Sequence, residues 1–97
     1  MMLSLEQIQQ KSHDVVLEVL PNVTSEELEY DTDLFSIGLD SITAMSLVLT
    51  LQETFEVAFE TSEISFDNFR TLGNIVELIE KKYTGLSQDA ESLSAVN

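Results

Sequence analysis

Ser41 follows Asp40 directly and stands where a run of helical periodicity begins. A serine hydroxyl has two chemical uses. It attacks a substrate once a neighbouring base activates it, or it accepts a group that another enzyme delivers. The first use needs a base, normally His, and His13 is the single histidine, placed in a different predicted helix. A Gly-x-Ser-x-Gly elbow is absent. Ser41 is therefore a poor hydrolytic nucleophile and a candidate acceptor of a modification. His13 falls on the polar face of its helix, reads as a surface residue, and receives no role. With no Cys, a disulfide, a thiolate zinc site and a catalytic thiol are all excluded. Asp31 and Asp33 begin like a calcium loop, but Phe35 and Ile42 occupy positions that need oxygen ligands. Paired-carboxylate catalysis needs a cleft that raises one pKa, and a chain of 97 residues leaves little room for one. No catalytic residue and no metal ligand is assigned.

The elements that would position Ser41 are helical. Gly and Pro are scarce, at three and one, which disfavours a strand-and-turn fold. Apolar residues make up 43% of the chain, enough for one modest, mainly aliphatic core. Ser4 and Gln7 have capping-box spacing, with Leu3 and Ile8 placed as a hydrophobic staple. Leu5, Ile8, Ser12, Val15, Val16 and Val19 then share one helix face, and Pro21 ends the run near Leu20. A long connection follows to about Asp40, with a second capping-box pair at Thr24 and Glu27. Leu28, Leu34, Phe35 and Ile37 are its expected anchors to the core. Asp40 is the N-cap of a second helix that runs to about Glu56. A brief helix is expected around Ser62 to Ser65. A last helix starts at Thr71, places Leu72, Ile75, Val76, Ile79 and Tyr83 on one face, and stops at Gly85. The expected fold is an all-α bundle of four helices, three long and one short, with a long first loop. Residues 1–84 form the domain, and residues 85–97, Ser-rich and aperiodic, form a flexible tail.

The second helix carries two apolar stripes. Ala44, Leu47, Val48, Leu51 and Phe55 have the spacing of a core face. Ile42, Met45 and Leu49 lie roughly opposite, and Glu53 and Glu56 continue that side. A small domain seldom buries two faces of one helix. Either the long connection covers the second stripe, or the stripe stays open to partners. Met45 suits the second role, because a flexible thioether adapts to several surfaces.

Charge narrows the partners. Eighteen acidic residues against four basic ones give a net charge of −14. Such a surface repels nucleic acid and anionic lipid and suits basic patches on other proteins. No apolar run is long enough to span a bilayer, and no basic-then-apolar leader opens the sequence, so a cytoplasmic monomer is expected.

The stretch Asp31-Thr32-Asp33-Leu34-Phe35-Ser36-Ile37-Gly38-Leu39-Asp40-Ser41-Ile42-Thr43-Ala44-Met45 resembles the attachment region of acyl and peptidyl carrier proteins. The resemblance extends from about Leu5 to Tyr83. It implies that Ser41 accepts 4′-phosphopantetheine from coenzyme A, delivered by a phosphopantetheinyl transferase, with Asp40 supporting the modification. It also implies successive partners: a loading ligase, adenylating enzyme or acyltransferase, then downstream synthase or tailoring enzymes. Ile42, Met45, Leu49, Glu53 and Glu56 become the docking face. Fatty-acid carriers of this family usually hold acidic residues early in the second helix, where this chain has Thr43 and Ser46. That departure points to a discrete acyl carrier of a polyketide or nonribosomal peptide pathway. A peptidyl carrier loaded by an adenylating enzyme is the alternative, and fatty-acid synthesis is a further one.

Overall fold

The computed structural model describes residues 3–83. Three α-helices hold the core: α1 (Leu5–Val19), α2 (Ser41–Phe55) and α3 (72–83). No strand occurs among the described residues, and none of their helices is long and apolar enough to cross a membrane.

Each helix starts where a side chain satisfies backbone donors that the helix cannot. Ser4 Oγ accepts the Gln7 N–H at 3.2 Å while Gln7 Oε1 accepts the Ser4 N–H at 2.9 Å. Thr71 Oγ1 accepts the Asn74 N–H at 3.0 Å. Ile8, Ser12, Val15 and Val16 are the buried face of α1. Leu5 shares that face but stays 46% exposed, while Leu3, ahead of the Ser4 cap, packs on the core. Leu47, Val48, Leu51 and Phe55 bury the inner face of α2, with Ala44 packed at its edge. Leu72, Ile75, Val76, Leu78 and Ile79 do the same for α3. Full burial of each aliphatic side chain contributes roughly 1.5–3 kcal/mol.

The connection from α1 to α2 is ordered by its own bonds. Thr24 and Glu27 form the expected single-turn box. Leu28, Leu34 and Leu39 are buried, and Phe35 and Ile37 pack on the core from the side. Asp33 caps a single 3-10 turn, Leu34–Ser36, by accepting the Phe35 N–H at 3.0 Å. The Leu34 N–H donates to the Arg70 carbonyl at 2.8 Å, which ties this loop to the next one. Gly38 then takes φ +127°, a conformation open to glycine, so the chain reverses just ahead of Asp40. Gly73 answers a different need: a Cβ there would lie 2.8 Å from the Tyr30 ring.

The expected short helix around Ser62 to Ser65 is replaced by two 3-10 turns, Thr61–Glu63 and Asp67–Phe69. Polar side chains compete with the helix ladder here. Asn68 Nδ2 donates to the Glu63 carbonyl at 2.9 Å, and Ser65 Oγ accepts the Asn68 N–H at 3.2 Å. Among the described residues the fold is therefore three α-helices and three single 3-10 turns, and the expected fourth, short helix forms only as 3-10 turns. Lys82 holds the first turn to α3 through a 2.7 Å bond to Glu63 Oε1. Burial alone would raise the Glu63 pKa, but the Lys82 bond, the Glu60 N–H and the Lys82 charge together lower it. The proposed stop at Gly85 and the tail at 85–97 lie outside the described residues.

Candidate functional site

The first turn of α2 is closed by a dense set of hydrogen bonds. Asp40 Oδ1 accepts the Ile42 N–H at 3.0 Å, the Thr43 N–H at 2.9 Å and the Thr43 hydroxyl at 2.9 Å. Thr43 Oγ1 in turn accepts the Asp40 N–H at 2.8 Å, which closes a capping box. The Thr43 N–H, then its hydroxyl, favour the ionised carboxylate, and they lower the Asp40 pKa against slight desolvation. Asp40 is thus a committed cap whose charged form these bonds favour.

That commitment sets Ser41 free. Because the cap is supplied one residue earlier, the Ser41 hydroxyl has no structural task. It is exposed and makes no side-chain hydrogen bond among the described residues. The outward stripe is also open. Ile42 is 79% exposed, Met45 51% and Leu49 55%, so the long connection does not cover them. Glu53 is exposed on the same side. Glu56 is exposed too, but it is the C-cap of α2 and adopts the left-handed conformation at φ 54°.

Two features escaped the sequence reading. Thr43, read as a neutral surface residue, is the second half of the capping box. A hydroxyl three residues after an Asp N-cap was the available signal. The other feature is a cleft of about 240 Å³ beside Ser41. Ser41, Ala44, Met45 and Val48 form one wall at i, i+3, i+4 and i+7, and Phe69 forms the floor. Across from them, Phe35 and Phe66 stack with centroids 4.4 Å apart. Met45 therefore lines the cleft as well as the outward stripe. His13 needs a correction. It is half-buried, with Nε2 3.4 Å from Ser25 Oγ, because the Thr24–Glu27 turn folds back over α1. Nothing places it at Ser41.

Comparison with known proteins bears directly on this site. Residues 13–79 match the family described as the phosphopantetheine attachment site. The chain belongs to this family of phosphopantetheine-binding carrier proteins. Among its relatives are D-alanyl carrier proteins. That of Lactobacillus delbrueckii subsp. bulgaricus is 33% identical over 69 residues, covering 68% of this chain and 86% of the relative. That of Lactobacillus acidophilus is 34% identical over 68 residues, covering 67% and 86%. That of Streptococcus pyogenes is 31% identical over 71 residues, covering 70% and 90%. The chain is a carrier rather than a catalyst, and the prosthetic group of its family is 4′-phosphopantetheine.

The residues around Ser41 fit such a group. A phosphodiester on an exposed Oγ in the first turn of α2 meets the positive end of the helix dipole. The N–H groups of Ile42 and Thr43 are already taken by Asp40, so the field favours the anion while these two donors do not bind it. When bound, the group supplies a terminal thiol that holds cargo as a thioester, which this chain, having no Cys, lacks.

Proposed function

We propose that Ser41 is the attachment residue and that the carrier bears an aminoacyl thioester, taking it from an adenylating ligase to an acceptor enzyme. The single observation that carries this reading is the free, exposed Ser41 hydroxyl behind a cap that Asp40 has already completed. In this reading a phosphopantetheinyl transferase supplies the base and the metal. The Ser41 Oγ–P bond forms as the pyrophosphate bond of coenzyme A breaks, and adenosine 3′,5′-bisphosphate leaves. Asp40 acts by fixing the backbone that presents Ser41. Ile42, Met45 and Leu49 give partners an apolar strip, with Glu53 and Glu56 steering basic surfaces toward it. Such a carrier works in the cytoplasm, where the transferase finds coenzyme A and the ligase finds ATP.

The names of the relatives favour an amino acid as cargo, D-alanine first. A carboxylic acyl cargo of a polyketide or nonribosomal peptide pathway is the second reading. It rested on the neutral Thr43 and Ser46, and the capping box gives Thr43 a structural reason to be there.

The test is loading of the phosphopantetheinylated chain. With a D-alanine-activating ligase and ATP, its mass should rise by one alanyl group, and hydroxylamine should remove the gain. Loading by an acyltransferase from malonyl-coenzyme A, with no amino acid accepted from any adenylating ligase, would overturn the cargo assignment.

A further inference from the structure

A second groove, of about 480 Å³, lies between α1, the long connection and the start of α3. It shares no residue with α2 or with the cleft beside Ser41. One wall is Glu6, Gln9, Gln10 and His13, at i, i+3, i+4 and i+7 along α1. Facing them are Ser25 and Tyr30, and the buried Leu28 and Leu72 supply an apolar lining. The α1 wall holds acceptors that the fold leaves unused. The Glu6 carboxylate and the Gln9 amide make no hydrogen bond or ion pair among the described residues. Gln10 Nε2 donates to Asp14 Oδ1 at 3.0 Å, which leaves its Oε1 available. No Lys or Arg lines the groove.

Tyr30 is fixed as a platform on the opposite wall. Its carbonyl accepts the Gly73 N–H at 2.9 Å, and its ring lies where a Cβ at position 73 would be 2.8 Å away. A glycine in the first turn of α3 weakens that helix, and the Tyr30 ring occupies the room it leaves. The residue nevertheless stays 48% exposed. We infer that this groove takes the arginine side chain of an enzyme that modifies or loads the carrier, as a docking point separate from α2. A guanidinium is a planar cation that stacks on a tyrosine ring. Its forked N–H donors match the Glu6 carboxylate and the amide oxygens of Gln9 and Gln10. Its methylene stem can lie along Leu28 and Leu72. A lysine ammonium brings the charge without the plane or the fork. An apolar side chain would cover Glu6 and leave it without a partner. An anion would meet Glu6 and a chain of net charge −14. Because no α2 residue lines the groove, an enzyme anchored here leaves Ser41 and the outward stripe free to face its active site. The choice of partner rests on the attachment at Ser41 proposed above, and the selectivity of the groove does not.

NMR titration of the unmodified, isotope-labelled full-length chain tests the groove, with N-acetyl-arginine amide as probe and N-acetyl-lysine amide as control. The arginine compound should shift the side-chain signals of Gln9, Gln10 and Tyr30 along saturable curves and leave α2 unmoved. The lysine compound should bind several-fold more weakly. Glu6→Gln, an exposed and nearly isosteric change, should weaken arginine binding about fivefold. Tyr30→Leu should remove the preference for arginine over lysine. Equal affinity of the wild type for the two compounds, shifts spread over the whole acidic surface, or binding untouched by Glu6→Gln would each overturn the groove assignment. In assays with the transferase and with the ligase, Glu6→Lys should raise the KM for the carrier several-fold in one or both, with kcat unchanged. Wild-type KM values in both would overturn the docking role. A wild-type chain that gains no phosphopantetheine refutes the attachment at Ser41 and leaves the titration to decide the groove.

Discussion

Helices α1 and α2 both open on a capping box, and each has a serine at that opening. In α1 the serine is the cap: Ser4 Oγ accepts the Gln7 N–H. In α2 the cap is Asp40, and Ser41 follows it with an exposed hydroxyl. One position along the chain separates a serine that holds a helix from a serine available for chemistry. The apolar faces differ in the same way. The apolar face of α1 is largely buried, while α2 buries Leu47 and Leu51 and leaves Ile42 and Leu49 in water. The helix that carries the site is the one with groups the fold does not use.

That contrast can be broken at four points. The largest effect lies between the faces of α2. Leu51→Ala should cost about 2–5 kcal/mol in urea unfolding, as for other buried leucines. Leu49→Glu should change stability by less than about 0.5 kcal/mol, as at ordinary surface sites. It should nevertheless slow loading by the ligase. If Leu49→Glu unfolds the chain, its face belongs to the core. Next come the serines. Ser4→Ala should cost about 1 kcal/mol. Ser41→Ala should stay within about 0.5 kcal/mol of wild type. Equal losses at both would mean that Ser41 has a structural duty.

A third serine extends the series. Ser12 is fully buried in α1, and its hydroxyl has no partner. Removing an unsatisfied buried hydroxyl relieves its desolvation penalty. Ser12→Ala should therefore raise the urea midpoint, by the equivalent of about 1 kcal/mol. A lower midpoint would mean that the hydroxyl has a bonded partner in solution.

The smallest effect concerns pH. The folded pKa of Asp40 is lowered by the bonds from Thr43 and Ile42. Its contribution is therefore fully present above the unfolded carboxylate pKa, and it fades as pH falls through the lowered folded value. Asp40→Asn keeps a competent cap without the charge. The wild-type advantage over Asp40→Asn, read as urea midpoints, should be largest near neutrality and shrink below pH about 4. An advantage that grows on acidification would contradict the assignment.

What the sequence made legible was local. The boxes at Ser4 and Gln7, and at Thr24 and Glu27, are pairs three residues apart, and both form. The Asp40 cap and the two stripes of α2 follow from helical spacing alone. The cleft was not legible, because its sides come from three segments whose meeting depends on long-range contacts. Phe35 meets Phe66 across 31 positions, a distance along the chain that no periodicity encodes. The brief helix expected around Ser62 to Ser65 forms only as short 3-10 turns, for the opposite reason. Their outcome depends on which polar side chains capture backbone groups, and Asn68 and Ser65 do so only once folded. His13 was misplaced because the turn that half-covers it lies beyond Pro21, outside its own helix.

The central claim is that the Ser41 hydroxyl is free in order to be modified. Intact-mass spectrometry after incubation with coenzyme A, Mg²⁺ and a phosphopantetheinyl transferase tests it most directly. The wild-type chain should gain one phosphopantetheine group and Ser41→Ala none, with the two chains equally folded. No gain by the wild type with several transferases, or an equal gain by Ser41→Ala, would contradict the account.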